Sequence, residues 1–388
     1  MAQIIRSLAK TLGKPIKCKG AVCRGAGEAL VIEEIEVATP KAYEVRIKVL
    51  CTSLCHSDLT YWKGLEGPRG VFPRIFGHEA VGMVESVGDN VVEVKEGDIV
   101  IPFFHPNCEE CWDCKSKESN ICSKFPFGGL GMPRDGTSRF TDSKGEIVHN
   151  FIKVSSFIEY TVVDICNLVK INPDFPLDKA CLLSCGVPTG IGAAWKTAKV
   201  KKGSTVAIFG LGAIGLAVAE GARISGAAKI IGIDLNPQKF KLGSKFGVTD
   251  FINPKDCGNR PVNEVIKEMT DGGADYCFEC VGLASLMNLA FTSCRNGSGK
   301  TIILGIEMNG TPLSLGCYEL LRGKTITGSI FGGIKAKTDI PILAQSYIDK
   351  ELHLDDFITH EVNFEDINEA FDLLIQGKSL RCIIWMGR

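Results

Sequence analysis

The stretch TVAIFGLGAIGLAVAEGARISG, residues 205–226, leaves the chain few ways to fold. A β-branched run ends at Phe209, a glycine-rich turn follows, and the rest has the Ala- and Gly-rich texture of a closely packed helix. Strand, turn and helix make the first half of a βαβ unit. The apolar runs KIIGID, DYCFECVG and KTIILG continue the series to about Gly328, which predicts a parallel sheet with helices on both faces. Glycines close many turns, but these lie between a strand and a helix, the setting in which the pattern carries information. Gly210 permits the tight bend, Gly212 lets the backbone approach a pyrophosphate, and Gly215 lets helix and strand pack closely. Amides at the helix N-terminus then face phosphate charge. Asp234, closing KIIGID, stands where a carboxylate accepts hydrogen bonds from an adenosine ribose and repels a 2′-phosphate, which favours NAD(H) over NADP(H).

Upstream the texture changes. From Gly20 to about Ile171, short alternating or β-branched runs such as YEVRIKVL and AVGMVESVG are punctuated by Gly, Pro and Asp, the pattern of a mostly β domain. With 388 residues, the chain exceeds the roughly 250–300 at which single cores stop growing, so two domains are expected.

The β-rich part contains CEECWDCKSKESNIC, with Cys108, Cys111, Cys114 and Cys122 in one highly charged segment. Charge at Glu109, Glu110, Asp113, Lys115, Lys117 and Glu118 rules out a buried strand, so something other than an apolar core must hold it. The 17 cysteines are odd in number, most stand singly in apolar surroundings, and the first residues lack the apolar core of a secretory signal. A reducing, cytoplasmic setting is expected, where such a cluster reads as a metal site. Four thiolates in a tight loop suit a structural zinc, with an iron–sulfur cluster or free thiols as alternatives.

A net charge of −1 gives no electrostatic reason to expect nucleic acid or a membrane surface as partner. Acidic residues in the cysteine loop argue further against a nucleic-acid finger. Apolar runs fall far short of the ~20 residues of a membrane span. The basic start, Arg6 to Lys17, reads either as a short organellar targeting peptide or as a frayed lead into the first strand.

CHSD at Cys55, GHE at Gly77 and SCGVPTG around Cys185 bear on the reaction. Two thiolates, Cys55 and Cys185, and the His78 imidazole would make a three-ligand set that leaves zinc a fourth position. Singly, Cys185 reads as a small core residue and His78 as a satisfied buried histidine; their company reverses that reading.

Together, CHSD, GHE, the four-cysteine loop, DGTSRF, CGVPTG, GLGAIG, GIDLN, IFGG and SLRCII resemble, in order, the zinc-dependent medium-chain alcohol dehydrogenases of the eukaryotic type, and CHSDLTYWKG resembles plant members. The resemblance runs from about Gly20 onward. It implies an α/β protein with a GroES-like β-rich catalytic domain (1–187, completed by 329–388) and a Rossmann domain of doubly wound parallel sheet (188–328). It also implies two zinc ions, NAD(H), a small alcohol or aldehyde as substrate, and a homodimer joined through the Rossmann sheets.

Residue by residue, Cys55, His78 and Cys185 match the catalytic zinc ligands, with Glu79 close to the metal and Asp58 fixing a ligand imidazole; both carboxylates also read as ordinary buried groups. Ser57 matches the hydroxyl that bonds the substrate oxygen. His56 and Arg381 match positions holding the pyrophosphate, or read simply as exposed charges. Thr189 packs on the nicotinamide in the family, and Gly210, Gly212, Gly215, Asp234 and Lys239 complete the cofactor set. Phe104, Ile306 and Ile330 match substrate-lining positions, all apolar, which implies a bulky uncharged skeleton such as a plant specialised metabolite. Thr60 departs from the pattern: it stands where the family carries a His or Tyr that passes the proton to solvent. KFPFGGLGMPRDG lacks the basic residue of the glutathione-dependent branch. A reductase of a conjugated double bond or iminium, and a non-catalytic zinc and NAD-binding protein, are the rival readings.

Overall fold

Alternation writes the first strand of the computed structural model, which describes residues 13–64, 70–126 and 128–387. In Ile16–Cys23 the Ile16 and Cys18 side chains are buried while Lys17 and Lys19 face water, as a period of two requires of a sheet with one solvated face. This strand pairs antiparallel with Val31–Val37, setting Lys17 and Lys19 opposite Glu36 and Glu34. The sheet runs in the order Arg74–Ile75, Ile16–Cys23, Val31–Val37, Phe140–Asp142, Ile147–Val148. Its inner face packs Ile35, Val37, Phe140, Phe157 and Phe371 into an apolar core.

A second sheet orders Leu168–Lys170, Ile99–Pro102, Glu79–Val87, Glu44–Ser53, Arg381–Trp385 and Ile358–Asn363, with Tyr160–Asp164 also pairing on Glu44–Ser53. Its register matters for the site. Ser53 lies opposite Glu79 on one side and opposite Ile383 on the other. The residues just past Ser53, those just before Glu79 and those at the start of the last strand therefore gather at one edge. Val45, Ile47, Val84, Val100 and Val163 fill one core against this sheet.

The third sheet is parallel, in the order Asp250–Ile252, Lys229–Ile233, Thr205–Phe209, Tyr276–Glu279, Lys300–Ile303, Thr325–Gly328. Counted along the chain this is 3-2-1-4-5-6, the doubly wound arrangement, whose switch point lies beside the first strand. The contacts group residues up to Cys185, Lys335–Ile348 and Phe357 onward as one unit, and Gly186–Ile334 with Asp349–Asp356 as the other.

The sequence texture placed the return to the first unit at 329; the structure carries the second unit to Ile334. Phe331, Gly332 and Gly333 all have positive φ, and a Cβ at Gly332 would come within 2.4 Å of the Thr189 carbonyl oxygen. The turn is thus packed on the helix Gly186–Gly192. Asp349–Asp356 is a short excursion held by Glu220, which accepts the His353 amide at 2.7 Å, and by Arg223, which donates to the Glu351 carbonyl at 2.7 Å. The basic residues before Gly13 lie outside the described residues. Among the described residues, no helix is long and apolar enough to cross a membrane.

Candidate metal centres and dinucleotide site

The helix His56–Trp62 begins where the strand Glu44–Ser53 has ended, with Cys55 as its N-cap. Asp58, in its first turn, is buried and reaches in three directions. Its Oδ2 accepts the Cys55 amide at 2.9 Å, and its Oδ1 accepts the Gly77 amide at 2.9 Å and lies 3.2 Å from His78 Nδ1. With Nδ1 on Asp58, the other nitrogen of His78, Nε2, is buried and has no hydrogen-bond partner.

Cys185 is brought in from the next segment by Ser184, whose hydroxyl accepts the Ala80 amide at 3.0 Å and meets the Ala80 carbonyl at 2.9 Å. The Cys181 thiol donates to the Glu79 carbonyl at 3.2 Å. One ligand atom from each of Cys55, His78, Glu79 and Cys185 lies within 4.8 Å of all the others. A buried orphan imidazole nitrogen facing two thiols is a donor set that fits zinc.

Arg381 closes this cluster. Its Nε and Nη2 donate to the two carboxylate oxygens of Glu79 at 2.8 and 2.9 Å, Nη2 also approaches Cys55 Sγ at 3.5 Å, and Nη1 donates to the Leu380 carbonyl. Arg381 is 3 % exposed and its guanidinium serves this cluster, not the solvent, in contrast to the exposed charge that was one reading of it. Burial pushes the Glu79 carboxyl up to about 7, opposed by Arg381. A hydrogen bond from Cys185 holds the Cys55 thiol well below its ordinary value in spite of burial, and Cys185 is raised in turn. At His78, burial works against protonation but Asp58 and Cys55 outweigh it.

The four cysteines of the charged loop also converge, their sulfurs all within 4.8 Å of one another. Cys108 and Cys114 Sγ are 3.8 Å apart, close to the separation of about 3.8 Å across a tetrahedron with ~2.3 Å zinc–sulfur bonds. Amides of Cys111, Cys114 and Phe125 point at the sulfurs of Cys108, Cys111 and Cys122, at 3.4, 3.4 and 3.3 Å. Such donors favour thiolate over thiol. Burial opposes ionisation at Cys111, yet Ser123 and the Cys114 amide bring its thiol down to about 5. Phe125 and Cys166 pack beneath the loop.

In the second unit each glycine of GLGAIG has its own reason. Gly210 has φ +94°, and a Cβ at Gly215 would stand 1.8 Å from the Gly210 carbonyl oxygen. Around Gly212, the N-cap of the helix Ala213–Ile224, a Cβ would meet nothing within 4 Å. Packing within the chain therefore does not require glycine there, and the bare backbone at a helix N-terminus is open to a phosphate. Asp234 Oδ2 accepts the Leu211 amide at 2.8 Å and the Lys239 ammonium at 2.9 Å, while Oδ1 accepts the Asn236 amide. Against burial, these donors hold its carboxyl below the ordinary value.

Of the remaining expected residues, Ser57 is partly buried and meets Cys55 Sγ at 3.9 Å. Thr60 donates to the His56 carbonyl at 3.0 Å, and the His56 side chain is exposed. Phe104 is buried, its ring 6.1 Å from that of His78. Thr189, Ile306 and Ile330 belong to the second unit, and Ile306 is 63 % exposed. Sequence reasoning missed Phe151, whose ring lies 5.6 Å from His78. It also missed the Ser184 clasp, although Ser184 adjoins a ligand and that adjacency was the available signal.

Residues 41–173 match the family model described as alcohol dehydrogenase GroES-like domain, and residues 213–346 the one described as zinc-binding dehydrogenase. Alcohol dehydrogenase-like 1 of Arabidopsis thaliana is 65% identical over 378 residues, 97% of each chain. Alcohol dehydrogenase 1 of Petunia hybrida is 50% identical over 379 residues, 97% of this chain and 98% of that one. Among solved structures, an alcohol dehydrogenase zinc-binding domain protein from Burkholderia ambifaria superposes with a TM-score of 0.89 at 32% identity, covering 97% of this chain and 100% of the other. Benzyl alcohol dehydrogenase from Acinetobacter calcoaceticus gives 0.85 at 29% identity over 96% and 100%.

Proposed function

The chain belongs to the zinc-dependent medium-chain alcohol dehydrogenases, and on that premise we propose that it moves a hydride between NAD(H) and a bulky apolar alcohol or aldehyde at Cys55, His78 and Cys185. The observation that carries this reading is the buried Nε2 of His78, without a hydrogen-bond partner beside two cysteine ligands. Both Glu79 oxygens are taken by Arg381, which supports three protein ligands and a fourth position left for substrate. When bound, zinc supplies the Lewis acid that polarises the substrate oxygen, and the nicotinamide supplies the hydride acceptor or donor.

The chain's own residues do the rest. Asp58 fixes His78 so that Nε2 faces the metal position. Ser57, 3.9 Å from Cys55 Sγ, relays the alcohol proton in oxidation, accepting it as its own hydroxyl proton moves on toward solvent, and runs the same relay backwards in reduction. Thr60, one turn further along the same helix, already donates its hydroxyl proton to the His56 carbonyl, so it can hand a proton on toward solvent only by giving up that bond. Cys108, Cys111, Cys114 and Cys122 hold a second zinc with no open position. Asp234 and Lys239 face the adenosine ribose, and Gly212 admits the pyrophosphate, favouring NAD(H).

Phe104 and Phe151 beside His78 make the reacting centre apolar, in keeping with a ring-bearing or otherwise bulky uncharged substrate. The likeness to benzyl alcohol dehydrogenase agrees with that class. The strand Thr325–Gly328 ends the parallel sheet and is largely exposed, with Tyr318 and Leu321 exposed nearby; this supports a homodimer joined at that edge. The test is a panel of primary, benzylic and terpenoid alcohols and aldehydes with NAD(H) and NADP(H), read by cofactor absorbance and product mass. Zinc-replete protein that turns over none of them, or that reduces only conjugated double bonds, overturns the reading.

A further inference from the structure

Two lysines outside the four-cysteine loop grip it. Lys335 Nζ donates to the carbonyl oxygen of Cys114 at 2.6 Å and also to that of Ser116. These carbonyls end the short helix Trp112–Lys115. Lys337 Nζ lies 2.6 Å from Glu93 and 3.4 Å from Glu109, with its side chain only 7% exposed. Glu109 follows the first cysteine of the loop and has a positive φ of 59°. The two ammonium groups therefore touch both ends of the segment that carries three of the four sulfurs.

Their own positions are fixed. Asp339 accepts the Lys335 amide at 2.9 Å, and the helix Ala336–Ile348 that follows sets Tyr347 against Phe175, ring centroids 5.5 Å apart. Four thiolates around one divalent cation leave a net charge of −2; the Lys335 ammonium beside the loop offsets part of it, while Lys337 neutralises Glu109, whose charge would otherwise add to it. We propose that Lys335 and Lys337 form a clamp that sets how tightly the four-cysteine loop retains its metal. This rests on the reading of that loop as a zinc site. Neither lysine is among the catalytic ligands, so the clamp acts on retention and leaves the reaction at His78 to others.

The experiment is a zinc-release race on the purified full-length enzyme, with an excess of a chromogenic chelator. The loop phase is identified as the one that persists in Cys185→Ser. Lys335→Met is expected to release the loop zinc about 10- to 100-fold faster, the range for losing a group that orients metal ligands. Lys337→Met, whose partner Glu109 is half exposed, is expected to accelerate it roughly two- to fivefold. Lys335→Arg, which keeps charge and donors, should recover most of the loss, and the catalytic zinc phase should keep its rate in all three. If Lys335→Met does not fold, Lys337→Met decides alone. Two zinc ions per wild-type chain with unchanged loop release in the folded variants overturns the clamp, as does equal acceleration of both phases. A wild-type chain with one zinc overturns instead the reading on which it rests.

Discussion

Replacing Asp58 by asparagine changes one carboxylate oxygen into an amide nitrogen and preserves the shape of the side chain. In the structure Oδ2 accepts the Cys55 amide while Oδ1 accepts the Gly77 amide and faces His78 Nδ1. An asparagine has one acceptor to offer. If its oxygen takes the Gly77 side, its NH2 points at the Cys55 N–H; turned over, it points at Gly77 and His78. Either way a fully buried donor loses its partner, at a cost of about 1–3 kcal/mol, and the charge-assisted character of the remaining bonds is lost as well.

Cys55 and His78 are both metal ligands in our reading, so part of that cost falls on zinc. A 10- to 100-fold loss of affinity at the catalytic centre is expected, in the usual range for such supporting groups. The assay is metal content after dialysis against a graded chelator, with turnover measured on the same samples. Asp58→Asn should lose one zinc of two at a chelator strength that leaves wild type replete, and turnover should fall with it while the second zinc stays. Wild-type retention of both ions in a folded Asp58→Asn protein would refute the role assigned to this carboxylate.

Cys111→Ser should remove one zinc and destabilise the first unit, whereas Cys185→Ser should leave the fold and chiefly abolish turnover; metal analysis with thermal unfolding separates the two. Asp234→Ser should weaken NAD(H) use and raise NADP(H) use by removing repulsion of a 2′-phosphate, as read from kcat/KM with each cofactor; a wild type that already prefers NADPH contradicts this. Thr60→His should raise the alcohol oxidation rate near neutral pH, where an imidazole of pKa ~6.5 can hold the proton that a threonine hydroxyl cannot. The gain should shrink at high pH, and an unchanged pH profile despite a wild-type solvent isotope effect would take Thr60 off the proton path.

Periodicity and spacing made the parallel sheet, its glycine turn and the four-cysteine loop legible, because each depends on residues close in sequence; Cys55, His78 and Cys185, far apart in the chain, were legible only through their company with those motifs and the family resemblance. Asp58 was readable for the same reason, standing in the motif that holds Cys55. What stayed hidden depends on register and on side-chain direction. Nothing around position 381 announces that Ile383 pairs with Ser53, and only that pairing turns an arginine inward onto Glu79. Phe151 reaches His78 through packing that no local pattern encodes. Lys335 and Lys337 look, in sequence, like any solvated charges near a helix start. The end of the second unit at Ile334 was missed because it is set by close approach of the turn to Thr189, a contact between residues distant in the chain.

The edge where three strands meet also orders events during synthesis. A ribosome delivers Cys55, His78, Glu79 and Cys185 while the second unit is still unmade, and Arg381 follows about two hundred residues later, or roughly 10–40 s at 5–20 residues per second. Through that interval the sheet lacks the strand that lies between Glu44–Ser53 and Ile358–Asn363, and the Glu79 carboxyl has no guanidinium to meet. The nascent chain thus carries both thiols and the imidazole of the proposed catalytic site before the strand that brings Arg381 to them exists. Closure of the first unit's second sheet therefore waits for the last strand, Arg381–Trp385, to be made.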